Sequence, residues 1–77
     1  MTGFVNMTLA ATSAKPATTI KKIRAIASVQ DAYLVTGDVD AIAIVVAEDE
    51  TSFWDAVFQI RNTAGVASTL TNVAAPI

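Results

Sequence analysis

Two clusters of side chains in this 77-residue sequence have the types and spacing to recognise a ligand. The first is Gly37-Asp38-Val39-Asp40, where two carboxylates within three residues sit in a turn between apolar runs. Such a pair can hold an ammonium group and leave the backbone N–H groups of the turn for a carboxylate. It can equally be turn chemistry, because Asp favours turns and stays solvated there. A D-x-D pair also suggests Mg²⁺, but no third side-chain ligand is evident and no metal is expected. The second cluster is Ser68, Thr69 and Thr71, three hydroxyls in a segment with strand character. Thr is also a good strand residue with no further role. Neither cluster reads as catalytic, since no base near neutral pKa and no activated nucleophile accompanies it.

Composition narrows the chemistry further. The chain has no His and no Cys, which excludes Ser-His-Asp and Cys-His catalysis, thiol redox chemistry, zinc fingers and haem attachment. Five Lys and Arg against seven Asp and Glu leave a net charge of -2. Proteins that displace counterions from nucleic acid need a cationic footprint, so direct nucleic-acid binding is not expected. No apolar run approaches the roughly 18–20 residues of a membrane span, and no basic segment followed by an apolar core marks a secretory signal. A cytoplasmic protein without cofactor is the expectation, in keeping with the lack of Cys.

The elements that must position these residues follow from periodicity. Residues 4–10 alternate and read as a strand, and 11–15 as a loop. Pro16 suits the first turn of a helix, with Ser13 as a cap. Ile20, Ile23, Ile26 and Ala27 then recur at helical spacing, with Lys21, Lys22 and Arg24 forming a solvated outer face that complements the macrodipole. Residues 31–36 read as a second strand and 41–47, apolar in both orientations, as a third covered on both faces. Asp49 is placed to cap a second helix whose stripe is Phe53, Val57 and Ile60. Trp54 and Phe58, four apart, are expected in the core, with a subunit contact as the alternative. The acidic run Glu48-Asp49-Glu50 fits a helix start. Ala64-Gly65 end that helix, and residues 67–75 read as a fourth strand.

An internal repeat orders these elements. IRAIASV at 23–29 aligns with IRNTAGV at 60–66, an offset of 37 residues that also carries strand 4–10 onto strand 41–47. Two strand-helix-strand halves make βαββαβ, an α+β ferredoxin-like fold with a four-stranded antiparallel sheet. Right-handed crossovers place both helices on one face. Whichever alternate residues face the helices, apolar area remains on the other side. A domain of 77 residues is marginal alone, and without disulfides or metals oligomerisation is the remaining route to stability. A homodimer of dimeric α/β-barrel type is expected.

The run I-x-x-I-x-x-I-x-S-V (20–29), TGDVD (36–40), an apolar strand, D-x-x-x-F (49–53) and AGVxSTxT (64–71) resembles the effector domain of the Lrp/AsnC transcription regulators, the RAM module of amino-acid metabolism. The resemblance spans residues 4–75. It implies a non-enzymatic amino-acid-sensing module whose homodimers assemble further, into octamers or decamers. It also implies a small-molecule effector held where dimers meet. Carried onto this chain, the positions implied are Thr36, Gly37, Asp38, Asp40, Thr69 and Thr71. Three places depart from the family pattern. Ala27-Ser28 replaces Pro-Gly after the first helix, Val39 replaces an aromatic, and residues 13–16 replace a further Pro-Gly. Those regulators also carry a DNA-binding segment for which 77 residues leave no room. A single domain over 1–77 is therefore expected, a stand-alone form able to co-assemble with full-length regulators. Two other readings stand beside it. One is a small dimeric α/β-barrel enzyme, of monooxygenase or isomerase type, with a closed pocket lined by Tyr33, Asn6 or Asn72. The other is a ligand-free structural interaction module.

Overall fold

A computed structural model describes residues 1–11 and 15–75. Six elements follow one another as β1 (Thr2–Leu9), α1 (Pro16–Arg24), β2 (Val29–Leu34), β3 (Ala41–Val46), α2 (Glu50–Arg61) and β4 (Val66–Ala74). The strands form one antiparallel sheet in the order β2-β3-β1-β4. This is the ferredoxin-like βαββαβ arrangement that the pattern predicts. β1 starts two residues earlier than periodicity suggests, and β2 runs over 29–34 rather than 31–36.

Sequence alone leaves the inward set open, and the sheet decides it. Val5 and Met7 of β1, Ala32 of β2, and Ala41, Ala43 and Val45 of β3 are buried against Ile20, Ile23, Phe53, Ala56, Val57 and Ile60 of the helices. Gly3 lies in the same layer, and a Cβ there would collide with the Phe53 ring. A strand glycine of this kind marks close approach rather than a turn. The alternate residues Phe4, Tyr33, Val46 and Leu70 are exposed on the opposite face, so β3 is covered on one side only within the protomer.

Helix ends account for the local boundaries. α1 opens on Pro16 with Lys15 at the N-cap and no side-chain cap; the expected cap, Ser13, lies outside the described residues. α2 opens on Asp49, whose carboxylate accepts the Ser52 N–H at 2.7 Å. α1 stops at Arg24, so Ile26 lies beyond the helix, where it still packs against the core.

The repeat is geometric as well as sequential. Ile26 N–H donates to Ile23 O and Val29 N–H to Ile26 O, and the matching bonds join Thr63 to Ile60 and Val66 to Thr63, all four at 3.1 Å. Ser28 and Gly65, at matching positions, both have positive φ, 74° and 100°. Register shifts follow at matching residues too, Gln30 in β2 and Ala67 opposite the end of β1. The first strand breaks the strict offset. Inward Val5 and Met7 correspond to Ala43 and Val45, one residue further on than the 37-residue offset places them.

Candidate functional site

The β2–β3 connection is built around one hydrogen bond, from Val35 N–H to Asp40 O at 2.9 Å, which leaves Thr36–Val39 as a four-residue tip. Gly37 has φ 118° with open space around it, so conformation rather than room calls for glycine there. Asp40 is engaged. Its N–H donates to Met7 O at 2.9 Å and its Oδ2 accepts the Leu9 N–H at 2.9 Å, pinning the loop to the end of β1. Turn chemistry thus accounts for Asp40. Asp38 is exposed at the tip, and among the described residues no hydrogen bond or ion pair holds its carboxylate. Thr36, also exposed, lies beside Leu34 and Val35 in a shallow hollow.

Thr69 and Thr71 lie on the helix side of β4, opposite Met7 and Val5. They line a groove of about 660 Å³ between β4 and α2, together with Trp54, Phe58, Arg61 and Asn62. Trp54 and Phe58 are not core residues, being 36% and 54% exposed. Phe53 takes the core position, and Trp54 meets its ring edge-on at 5.2 Å. Arg61 lies over Phe58, 5.7 Å from the ring centroid. Periodicity misplaced the two rings because an apolar stripe does not reveal how far the sheet extends beneath a helix.

The six implied positions therefore fall into two groups, one at the tip between β2 and β3 and one on the helix side of the edge strand β4. The β2–β3 tip stands two to three strand spacings from β4, roughly 10–14 Å, so the two groups form separate sites on the protomer. Among the described residues, no group of three His, Cys, Asp or Glu side chains stands close enough to hold a metal. Tyr33 borders an open hollow beside α1 rather than a closed pocket. Asn6 and Asn72 pair on the open sheet face through Asn6 Nδ2 to Asn72 Oδ1 at 2.9 Å.

At the β2 edge Arg24 is exposed, as expected of the outer face, and also binds the strand beneath it. Its Nε donates to Asp31 Oδ1 and Ala32 O, both at 3.1 Å, and its Nη2 donates to Ala32 O at 2.8 Å. Tyr33 OH donates to Asp31 Oδ2 at 3.0 Å. The Ala32 N–H, the Tyr33 hydroxyl and the Arg24 guanidinium hold the Asp31 carboxyl below the usual aspartate range. The same carboxylate pushes the Tyr33 phenol up. No helix among the described residues is long and apolar enough to cross a membrane.

Known proteins place the fold and the family. A hypothetical protein from Pyrococcus horikoshii superposes with a TM-score of 0.83 at 27% identity, over 99% of this chain and 90% of that one. A Thermus thermophilus protein superposes at 0.86 with 28% identity, over 99% and 94%. The feast or famine regulatory protein of M. tuberculosis, complexed with L-methionine, gives 0.78 at 22% identity, a likeness of fold alone. This chain covers 50% of that protein's length. No curated protein matches the sequence. The Lrp/AsnC ligand-binding domain pattern matches residues 2–75, and this chain belongs to that family.

Proposed function

We propose that this chain is a non-enzymatic, amino-acid-binding effector module that works as an oligomer. The observation that carries the reading is the split between Asp38, an open carboxylate at the β2–β3 tip, and Thr69 and Thr71, hydroxyls in the groove along β4. Copies pair through the apolar sheet face bearing Phe4, Val46 and Leu70. The tip of one pair then meets the groove of the next. A tip-into-groove contact is head-to-tail, and such contacts close into rings when the rotation permits. A ring of four or five such pairs fits this scheme. The ligand bridges two copies, its ammonium at Asp38 and the outer oxygen of Asp40 and its carboxylate among the donors of Thr36, Gly37, Thr69 and Thr71. Because it touches both copies, it favours the assembled state by its differential affinity. The same sheet face would admit a longer family member, and mixed particles on combining the two would show it.

L-Methionine, the ligand of the M. tuberculosis protein, is the first compound to test. Titration calorimetry across the standard amino acids, with native mass spectrometry alongside, should give heat with at least one and a shift toward larger particles. Asp38→Asn and the double change Thr69→Val/Thr71→Val should each weaken that binding about tenfold or more. No heat with any amino acid on assembled protein would remove the sensing role.

A further inference from the structure

The two halves of the chain carry the same arginine at the same place and use it differently. Arg24 and Arg61 match in the repeat, and each is the last residue of its helix. Arg24 reaches over the strand that follows it to Asp31 and to the carbonyl of Ala32. The residues matching Asp31 and Ala32 in the second half are Ser68 and Thr69. Arg61 therefore has no carboxylate waiting for it, and among the described residues it makes neither an ion pair nor a side-chain hydrogen bond. Its guanidinium rests on Phe58 instead.

The hollows beside the two arginines match as well. Ala17, Ile20, Lys21 and Leu34 line the first, and their counterparts Trp54, Val57, Phe58 and Thr71 line the second. Relative to the first half, the second has aromatic rings in place of an alanine and a lysine, and hydroxyls in place of a carboxylate and a leucine. A guanidinium in such surroundings is complementary to a planar carboxylate, which it binds through two parallel N–H···O bonds.

We infer that Arg61 is the carboxylate receptor of the α2–β4 groove and that Trp54 and Phe58 form its side-chain wall, so that the groove selects amino acids with bulky apolar side chains over basic ones. The inference rests on the amino-acid-binding reading above. The ligand carboxylate takes the place that Asp31 fills in the first half. A second cation on the ligand would lie near Arg61 and be repelled.

The test is calorimetry on the full chain with L-methionine, L-lysine and L-methioninol, which keeps the side chain and ammonium but carries an alcohol in place of the carboxylate. The wild-type protein should bind L-methionine about tenfold or more tightly than either of the others. Arg61→Gln should lower L-methionine to the level of L-methioninol and leave L-methioninol unchanged, and Arg61→Lys should retain part of the difference. L-Methionine binding that survives Arg61→Gln at full strength overturns this inference and leaves the broader reading standing. Absence of heat with every standard amino acid on the wild-type protein overturns both. Disassembly of ligand-free Arg61→Gln in native mass spectrometry would assign the carboxylate to a second copy, and overturns the ligand assignment.

Discussion

Ser28 and Gly65 occupy the same left-handed position in the two halves, with φ of 74° and 100°. Only Gly65 is the residue type that such a backbone favours. A β-carbon in the left-handed region costs roughly 1–2 kcal/mol, part of which glycine returns through its looser unfolded state. Ser28→Gly should therefore raise stability by about 0.5–1 kcal/mol in urea denaturation. Gly65→Ala should do the reverse and by more, since its β-carbon would also strike Thr19. Gly3→Ala presses on the Phe53 ring and should cost about 1–3 kcal/mol, the usual range for overpacking a core. Of these residues, Ser28 was legible in the sequence, as part of the Ala27-Ser28 pair that replaces Pro-Gly after the first helix. Gly3 was not, because what it touches is 50 residues away in the chain.

At the scale of elements, the two edge strands are treated differently. β2 is held by Arg24, which occupies the carbonyl of Ala32, while β4 pairs with β1 alone and its helix side borders the α2 groove. An occupied edge is protected from pairing with other chains. The Arg24, Asp31 and Tyr33 cluster also gives stability a pH signature. Asp31 titrates lower in the folded state, so its contribution is present above about pH 3.9 and is lost as pH falls through the lowered folded value. Tyr33 titrates higher, so its contribution holds below about pH 10 and is lost as pH rises through the folded value. Asp31→Asn should flatten both limbs of a stability-against-pH curve. The remaining acid dependence should come from Asp49, held low by the Ser52 N–H at the start of α2. Helical spacing placed Arg24 on an outer face, but only the strand beneath shows that this face ends at an edge.

For the whole molecule, the governing fact is thinness, 38 × 23 × 16 Å with helices on one side only. Leu70, 66% exposed on the bare side, contributes little to the protomer's own core. Leu70→Lys should leave the fold intact yet move sedimentation from a multiple of 8.0 kDa toward 8.0 kDa itself. Wild-type protein that already sediments as a stable 8.0 kDa particle at micromolar concentration would overturn pairing through this face. The sequence by itself determined the order βαββαβ and the existence of two related halves, because helical and strand periods are local and survive in the residue pattern. It also singled out the TGDVD and STxT segments, through their turn and strand chemistry. Only the tertiary structure decided which residues point inward, since the spacing from β1 to its helix departs from the repeat by one residue and a shift of one reverses every side chain. Helical spacing already puts Trp54, Phe58 and Arg61 on one face of α2, but only the strand order β2-β3-β1-β4 separates Asp38 from Thr69 and lays the hydroxyls of β4 beside that face. Those neighbours are set by pairing between distant segments, which local periodicity does not encode.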